Sequence, residues 1–329
     1  MHEILFQNED ASTRRLKEDL VNSIKENSKV AIYDQYRNYC YKEGFNSFDY
    51  FYERIKKLIF ATSGEWAFFY EPSDYGPYLL GVRLSKWDED HFGFKMANLQ
   101  VFTLPYQDVQ IAIFQTLLQH AISFLKGEGV KFISSRINGD CLQALHALED
   151  VGFRYYDNVI WPIVSTQYFE ADTKIRLAKS NELEEIKILA EKFQFNRGHY
   201  YCDEKFNKGK VDAMYPKWID TAIKNNEPIS VVEINNVLAG FFVFKIDDEL
   251  FRFTGYKYGR LRLLALNSEF RGVGAGSELF KGTLSIIRKM GADFIDSGYS
   301  TKNHISAKLH TKNNFYSVYE EVTLHLWLD

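Results

Sequence analysis

The same order of strand and helix patterns occurs twice along this chain, and the repetition limits the folds it can adopt. In each half, short runs rich in β-branched and aromatic residues accompany a long amphipathic helix, a further strand and a short helix. In the first half, the predicted strands are 65–70, 78–84, 95–103 and 130–135, and the predicted helices are 107–126 and 142–148. In the second half, the predicted strands are 174–178, 229–234, 237–246, 260–266, one from Ile295 and 322–327, and the predicted helices are one after Asn181, 276–290 and 304–313. Asn235-Asn236 is predicted to form a two-residue hairpin turn, and Asn181 with Glu184 is predicted to cap the helix that follows. This alternation predicts an α/β fold with two similar units in tandem.

The length of 329 residues exceeds what one compact core usually holds, which favours two domains. The first 60 residues show helical spacing, for example at Leu16, Leu20 and Ile24, and carry no motif with evident chemistry. A stretch near 165–172 separates the two repeated patterns. We therefore predict a helical extension over 1–60, a first domain over 61–168 and a second domain over 169–329.

Composition and charge exclude several classes of function. Forty basic against 44 acidic residues give a net charge of −4, which offers no electrostatic footprint for nucleic acid. No stretch approaches about 18 uncharged apolar residues, so no membrane span is expected. The three cysteines lie far apart without a CxxC pair, which is typical of a reducing compartment, and we expect a cytoplasmic protein. The eight histidines show no HExxH spacing, so no metal site is expected.

A glycine-rich turn in the second half carries the clearest chemical signal. The predicted strand 260–266 leads into Arg271-Gly272-Val273-Gly274-Ala275-Gly276-Ser277, which opens the predicted helix 276–290. Glycines allow left-handed backbone angles, and several amides converging at a helix N-terminus favour phosphate oxygens. The turn lacks the GKS/T of a Walker loop and the last glycine of a dinucleotide fingerprint. It therefore predicts a phosphate-binding site of another type.

The spacing Arg-x-x-Gly-x-Gly resembles the acyl-CoA pyrophosphate loop of the GNAT acetyltransferase superfamily. A second match lies downstream, where the family has Asn-x-x-Ala-x-x-Leu-Tyr-x-Lys-x-Gly-Phe. This chain has Asn303, Ser306, Leu309, His310, Lys312, Asn314 and Phe315 at those positions. Asn303, Leu309, Lys312 and Phe315 match, whereas a histidine replaces the tyrosine. The resemblance implies a mixed-sheet GNAT fold, with two GNAT-like units in tandem after the N-terminal extension.

The resemblance also implies acetyl-CoA, or another acyl-CoA, as the bound group. The residues expected to hold it are Leu264, Leu266, Arg271, Gly272, Val273, Gly274, Ala275, Gly276, Ser277 and Asn303. Backbone groups of Leu264 and Leu266 would hold the pantetheine arm like an added strand. A backbone amide near Leu266 would donate to the oxyanion that forms when an amine attacks the thioester. The first half has no such turn, because Thr103–Gln107 lacks glycine and Pro105 removes one amide, so we predict that it does not bind CoA in the usual way.

His310 stands where the family often has the tyrosine that protonates the departing thiolate. Three roles stay open for it: a proton donor, as imidazolium or through its neutral N–H; a contact to CoA without proton transfer; or packing only. Tyr299, Tyr316 or Tyr319 would be the alternative proton donors. For the base that deprotonates the acceptor amine, Glu233 and Asp296 are candidates, with a solvated surface charge as the alternative for each.

The acceptor side rests on a looser resemblance, to dTDP-fucosamine acetyltransferases. The first half carries Trp87-Asp88 and Phe92-Gly93-Phe94, and the second half has Phe193, Phe195-Asn196-Arg197, Tyr215 and Trp218-Ile219 where those enzymes have an aromatic, Arg-containing loop. The resemblance implies that the acceptor is bound by Arg197, His199, Tyr200, Tyr201 and Trp218. The expected activity is acyl-CoA-dependent N-acylation of a small amine, with a nucleotide-linked amino sugar as one acceptor.

Two other functions stay open. A catalytically idle acyl-CoA sensor or scaffold would account for the missing tyrosine and the missing base. A tandem-GNAT aminoacyl transferase would use aminoacyl-tRNA, although the net charge of −4 argues against it. We expect a small-molecule amine as partner, with no nucleic acid or membrane, and leave a homodimer open.

Overall fold

The computed structural model describes residues 1–5, 11–26, 31–32, 47–61, 65–105, 109–169, 174–192 and 197–328. The chain forms two compact units. The first unit comprises Met1–Asn158 and Glu320–Asp329, and the second unit comprises Val159–Tyr319. Each unit is a mixed β-sheet with helices, which confirms the predicted fold class.

The first unit carries eleven helices and strands among its described residues, together with most of the chain's last strand. They are β1 (His2–Ile4), α1 (Ala11–Glu26), β2 (Ala31–Ile32), α2 (Ser47–Ile59), β3 (Trp66–Glu71), β4 (Tyr78–Leu84), α3 (Lys86–Phe92), β5 (Met96–Leu104), α4 (Ile111–Gly127), β6 (Phe132–Asn138) and α5 (Leu142–Asp150). Within this unit the strands lie in the order β1-β3-β4-β5-β6, followed by the last strand, and β2 pairs with β5. Strands β5 and β6 are parallel, and the other neighbours are antiparallel.

The N-terminal segment confirms the predicted helices and adds two strands that the pattern did not predict. Leu20 of α1 and Phe51 and Ile55 of α2 are buried against Phe68 and Phe102 of the sheet. The apolar faces of α4 and α5 cover the opposite face of the same sheet. Strand β1 pairs with β3, so the segment predicted as a separate extension contributes to the sheet of the first unit. Backbone pairing of this kind leaves no periodic signal in three residues.

The second unit contains the remaining elements, except that β14 lies mostly in the first unit. They are β7 (Arg154–Ser165), β8 (Arg176–Leu177), α6 (Leu183–Lys192), α7 (His199–Cys202), α8 (Lys208–Asp212), α9 (Met214–Lys224), β9 (Ile229–Ile234), β10 (Val237–Asp247), α10 (Phe251–Thr254), β11 (Tyr258–Leu266), α11 (Ala275–Lys289), β12 (Phe294–Ser297), β13 (Tyr299–Ser300), α12 (His304–Lys312) and β14 (Tyr316–Trp327). The strand order within the unit is β7-β12-β11-β10-β9-β8, and β13 pairs with β7. The inner face of α11 packs on one side of this sheet through Leu279, Phe280, Leu284 and Ile287. Helix α6 lies against β10 and β11.

The C-terminal strand belongs mostly to the first unit, although it follows the second unit in the sequence. Residues Glu321 to Trp327 of β14 pair with β6 in the first unit. Residues Ile163 to Ser165 of β7, which follow the first-unit helix α5, pair with β12 in the second unit. The units therefore differ from the predicted domains 61–168 and 169–329, because strand pairing rather than chain order assigns these two strands.

Two local predictions have different outcomes. The turn Asn235-Asn236 has φ angles of 52° and 62°, as the predicted two-residue hairpin requires. The predicted capping of α6 by Asn181 and Glu184 is wrong. Glu182 instead accepts from the backbone N–H of Lys179 at 2.7 Å, because a 3₁₀ turn over Ser180–Glu182 precedes the helix.

Among the described residues, no helix is long and apolar enough to cross a membrane. The same residues include no group of three or more His, Cys, Asp or Glu side chains placed to hold a metal ion.

Candidate functional site

Two parallel strands of the second unit separate partway along their length. Strands β11 and β12 are paired from Tyr258 with Phe294 to Leu261 with Ser297. Strand β11 then continues to Leu266, whereas the chain after β12 turns away and forms β13, which pairs with β7. The result is a V-shaped opening between the end of β11 and β13.

Two local irregularities account for this separation. The register between β10 and β11 shifts at Arg262, which leaves one extra residue in β11 and bends the strand. On the other side of the opening, Gly298 joins β12 to β13. A Cβ at Gly298 would lie 3.1 Å from the ring of Trp161, so a larger residue would not fit there without movement.

The backbone of Leu264 and Leu266 faces the opening. The N–H of Asn267 donates to the carbonyl of Ala239 on β10 at 2.9 Å. In an antiparallel ladder, adjacent residues alternate between facing the partner strand and facing away from it. The N–H and C=O groups of Leu264 and Leu266 therefore point away from β10, toward the side that β12 has left. This is the arrangement needed for an extended ligand to add itself to the strand.

The glycine-rich turn lies at the end of the same strand. Gly272 and Gly274 have φ angles of 82° and 93°, and a Cβ on either would meet no atom of the described residues within 4 Å. Helix α11 begins at Ala275, and no described side chain caps it. Among the described residues, no group accepts a hydrogen bond from the amides of residues 272–276. Exposed amides at the positive end of a helix dipole suit the phosphate oxygens of a diphosphate.

The side chain of Leu266 connects the strand to the turn. A Cβ at Gly276 would lie 2.7 Å from Leu266 Cδ1, and a Cβ at Gly240 would lie 2.5 Å from Leu266 Cδ2. A side chain at either glycine would therefore clash with Leu266. Gly276 belongs to the predicted motif, whereas Gly240 was not predicted, because no spacing rule connects it to the turn.

Asn303 brings together two residues that were predicted for different ligands. Its Oδ1 accepts from the N–H of Ser306 at 3.1 Å and so caps α12. The same oxygen accepts from Nη1 of Arg197 at 3.2 Å. The predicted cofactor residue Asn303 and the predicted acceptor residue Arg197 are thus in direct contact.

His310 is buried in an aromatic cluster, with 3% of its surface exposed. Its ring centroid lies 5.0 Å from Phe280 and 4.8 Å from both Tyr299 and Phe315. Nδ1 lies 2.7 Å from the carbonyl oxygen of Ser306. Because a carbonyl can only accept, Nδ1 carries the proton, and Nε2 of the neutral ring is an acceptor. Nε2 is buried without a hydrogen-bond partner among the described residues.

The charge state of His310 bears on its predicted role. Burial lowers the pKa of His310 to about 4, so the ring is neutral at pH 7. The imidazolium form of the predicted proton donor is therefore not the form present, and the neutral tautomer has its proton on the wrong nitrogen to donate from Nε2. A catalytic role for His310 stays a prediction, and its tautomer suits accepting a hydrogen bond.

The neighbouring tyrosines differ in exposure. Tyr299 is half-buried and lies on the ring of His310 with an interplanar angle of 31°, and burial raises the pKa of its phenol. Its hydroxyl is thus protonated at neutral pH. Tyr316 is exposed, and Tyr319 is half-buried in the strand that follows α12.

The two candidate bases lie in ion pairs. Glu233 is exposed, and its Oε1 lies 2.6 Å from Nη2 of Arg176, which fits the surface-charge alternative. Asp296 is only 1% exposed, so the surface-charge alternative for it is wrong. Its Oδ2 lies 3.8 Å from Nε of Arg260, which lies 2.8 Å from Asp247. Asp296 is on the sheet face opposite α11, because its neighbour Ile295 packs against that helix.

The predicted acceptor residues do not all present their side chains in the same way. Tyr200 is buried and packs on Phe206, with ring centroids 4.8 Å apart, so its ring offers no open platform. His199 and Tyr201 are partly exposed, and Nζ of Lys208 lies over the ring of Tyr201 at 5.1 Å. Trp218 is 42% exposed on α9. Phe193, Phe195 and Asn196 lie outside the described residues.

One contact near this site was not predicted. Nζ of Lys302, the residue before Asn303, lies 3.1 Å from Sγ of Cys202 in α7. Cys202 forms no disulfide bond within the described residues. The two residues are a hundred positions apart, so no sequence spacing signals the contact.

The first unit has a related strand whose edge is covered. The register between β4 and β5 shifts near Phe102, and β5 is parallel to β6 only from Met96 to Leu99. On the edge of β5 that β6 leaves, Thr103 and Leu104 pair with β2. The chain itself therefore occupies the edge that corresponds to the open side of β11, which supports the prediction that the first half does not bind CoA in the usual way.

Comparison with known proteins agrees with this geometry. Residues 191–315 match the Acetyltransferase (GNAT) family, a range that includes β11, the glycine-rich turn and α12. No curated protein matches the chain. No match described here names a dTDP-fucosamine acetyltransferase, so that part of the resemblance stays a prediction.

Solved structures share the fold at low sequence identity. A GCN5-related N-acetyltransferase from Sphaerobacter thermophilus is 10% identical with a TM-score of 0.59, over 84% of this chain and 85% of that one. A tandem GNAT protein from the clavulanic acid biosynthesis pathway is 10% identical with a TM-score of 0.52, over 94% and 95%. A glucosamine N-acetyltransferase region of a fungal multi-domain GH3 beta-N-acetylglucosaminidase is 11% identical with a TM-score of 0.59, over 94% of this chain and 37% of that one. The chain thus has the GNAT fold, in a tandem arrangement.

Proposed function

We propose that the protein is an acyl-CoA-dependent N-acyltransferase that uses acetyl-CoA and acts on a small amine. The observation that carries the proposal is the combination of an open strand edge at β11 with the uncapped N-terminus of α11. The first can hold a pantetheine arm and the second a diphosphate, and the two are joined by the side chain of Leu266. The match of residues 191–315 to the acetyltransferase family supports the same reading.

We assign separate roles to the residues of the site: some bind acyl-CoA, some orient its thioester, and one stabilises the oxyanion. The amides of residues 272–276 would bind the diphosphate, and Arg271 and Ser277 flank them. Backbone groups of Leu264 and Leu266 would hold pantetheine, and a backbone amide near Leu266 would donate to the oxyanion. Nδ2 of Asn303 can donate a hydrogen bond to acyl-CoA, because only Oδ1 of this side chain is hydrogen-bonded among the described residues.

The leaving thiolate requires a proton, and we propose Tyr299 as its donor. Its phenol is protonated at neutral pH and partly exposed, and its ring lies on His310. When the amine attacks the carbonyl carbon, the C–S bond breaks, the sulfur takes the proton of the Tyr299 hydroxyl, and the phenolate regains a proton from the acylated ammonium through solvent. His310 would support this step by fixing the ring of Tyr299 and by accepting a hydrogen bond at Nε2.

The identity of the acceptor is a finer part of the proposal. A nucleotide-linked amino sugar follows from the looser resemblance in the acceptor loop. The fungal region with the same fold is named a glucosamine N-acetyltransferase, which adds amino sugars as a class worth testing. Residues Arg197, His199, Tyr201 and Trp218 are proposed to line the acceptor side, and Tyr200 to support them from the core.

The experiment that tests the proposal combines binding and turnover. Calorimetry with acetyl-CoA would measure donor binding, and release of free CoA would be followed over a panel of primary amines that includes amino sugars. We expect binding and amine-dependent CoA release. Binding without release on any amine would favour the sensor alternative, and no binding would remove the proposal.

A further inference from the structure

We propose that Arg197 is the receptor for an anionic group on the acceptor, so that the acceptor is an amine that also carries a carboxylate or a phosphate. This inference rests on the proposed acyltransferase function and specifies its substrate class.

The first observation is that Arg197 is half-buried without an acidic partner. Its Nη1 donates to Asn303, and no carboxylate in the described part of the chain lies within ion-pair distance of it. Other partly buried arginines of the same unit are paired: Arg176 contacts Glu182 and Glu233, and Arg260 contacts Asp247. Removing a guanidinium from water costs free energy unless an anion or acceptor compensates it. A half-buried guanidinium with no carboxylate partner among the described residues is therefore suited to binding an anionic ligand.

The second observation is that Asn303 anchors Arg197 by one nitrogen only. Its Oδ1 is itself held by the N–H of Ser306 at the start of α12, so the anchor is a fixed point. A guanidinium has five N–H donors in a planar fork, and one bond at Nη1 leaves the others available. That fork binds a carboxylate or a phosphate through two parallel hydrogen bonds.

The third observation is the charge of the surroundings. The N-terminus of the nine-residue helix α12 begins beside Asn303, and its dipole favours negative charge. The cation Lys302 precedes Asn303 in the chain and reaches α7, the helix that follows Arg197. Arg197, Lys302 and the positive end of α12 therefore lie close together in this part of the unit.

The position of Asn303 relates the proposed anion site at Arg197 to the proposed acyl-CoA site. Asn303 is proposed to contact acyl-CoA through Nδ2 while its Oδ1 holds Arg197. An anion bound to Arg197 would therefore lie beside a residue that contacts the donor, and the amine of the same molecule could reach the thioester. An acceptor without an anion would lose this anchor.

Two pairs of amines test the proposal, each with and without the anion. Glucosamine is compared with glucosamine 6-phosphate, and lysine amide with lysine. We expect the wild type to favour one anionic member over its neutral partner by roughly tenfold to a hundredfold in kcat/KM, the range expected for charge-assisted hydrogen bonds. Which pair shows the preference identifies phosphate or carboxylate.

The variant Arg197→Gln should lose this preference, because the KM of the anionic amine should rise toward that of its neutral partner. Arg252→Gln, an exposed arginine of the same unit, is the matched control and should keep the preference. Asn303→Asp is a second variant that retains a helix cap, because aspartate caps as well as asparagine. Its carboxylate would pair with Arg197 and should also abolish the preference.

Several results would overturn the proposal: no preference in the wild type, a preference that survives in Arg197→Gln, or an equal loss for both members of a pair. Failure of the acyltransferase function would look different, because no amine at all would release CoA. In that case titration of inorganic phosphate and of acetate, followed by NMR, still compares wild type with Arg197→Gln. Equal affinities there would also overturn the anion receptor.

Discussion

A single buried side chain, His310, has consequences for both stability and activity. Its pKa of about 4 lies below the ordinary value of about 6.5 because the ring is buried among aromatic side chains. The unfolded chain therefore binds a proton at a higher pH than the folded chain does. The sequence pointed to this position through a motif, but the tautomer depends on the contact with the Ser306 carbonyl.

We predict that His310 makes stability depend on pH. Its contribution is fully present above pH 6.5 and is lost as pH falls toward 4, because only the unfolded state gains the proton in that window. The loss should reach about 3 kcal/mol. Denaturant unfolding between pH 7.5 and 4.5 would measure it, with the variant His310→Phe showing a flatter profile. His304→Gln, an exposed histidine of the same helix, should keep the wild-type slope, and equal slopes in all three proteins would contradict the prediction.

A second residue-scale prediction concerns Tyr299. Replacement by phenylalanine keeps the ring on His310 but removes the hydroxyl, so kcat should fall roughly a hundredfold or more while acetyl-CoA affinity stays the same. CoA release at saturating amine would measure the change. Tyr316→Phe, at an exposed phenol, is the matched control. If Tyr299→Phe kept full kcat and His310→Phe lost most of its kcat, His310 rather than Tyr299 would be the proton donor.

At the level of elements, the site depends on where β11 leaves β12 and where α11 begins. The glycine spacing predicted the turn, and the structure agrees that Gly272 and Gly274 have positive φ. The bulge at Arg262 and the glycine at 298 that let the strands separate were not predicted. A bulge is visible only when two strands are paired, because it is a mismatch between their registers.

We predict that Gly274→Glu abolishes acetyl-CoA binding. Its Cβ would point into open space at the uncapped end of α11, and the added carboxylate would repel the diphosphate there. Affinity should fall by about a hundredfold or more by calorimetry. Gly291→Glu provides a matched control after the other end of α11, since Gly291 has a φ of 86° and equally open surroundings. Similar affinity losses in both variants would mean that strain, rather than the turn, explains the effect.

At the scale of the whole molecule, the first unit is completed by a strand from the far end of the sequence. Residues Glu321 to Trp327 pair with β6, and Leu324 is fully buried in the core of the first unit. The internal repetition indicated two similar units, but chain order alone placed this strand in the second domain. Its pairing partner is determined by the edges that folding leaves open.

We predict that Leu324→Ala destabilises the first unit, although the residue follows the second unit in sequence. Removing this buried side chain should cost about 2–5 kcal/mol. Hydrogen exchange would show faster exchange at β6, and Leu284→Ala in α11 should instead affect β12 in the second unit. Unchanged exchange at β6 in Leu324→Ala would contradict the assignment of this strand.

The sequence by itself determined the local features: the α/β alternation, the hairpin at Asn235-Asn236 and the glycine turn before α11. These depend on propensities and backbone angles that neighbouring residues set. Only the tertiary structure decided the contact of Arg197 with Asn303, the burial of Asp296 and the pairing of β14 with β6 in the first unit. Each of these features depends on a contact between residues that are far apart in the chain. No periodicity or spacing in the sequence encodes which distant residues will come into contact.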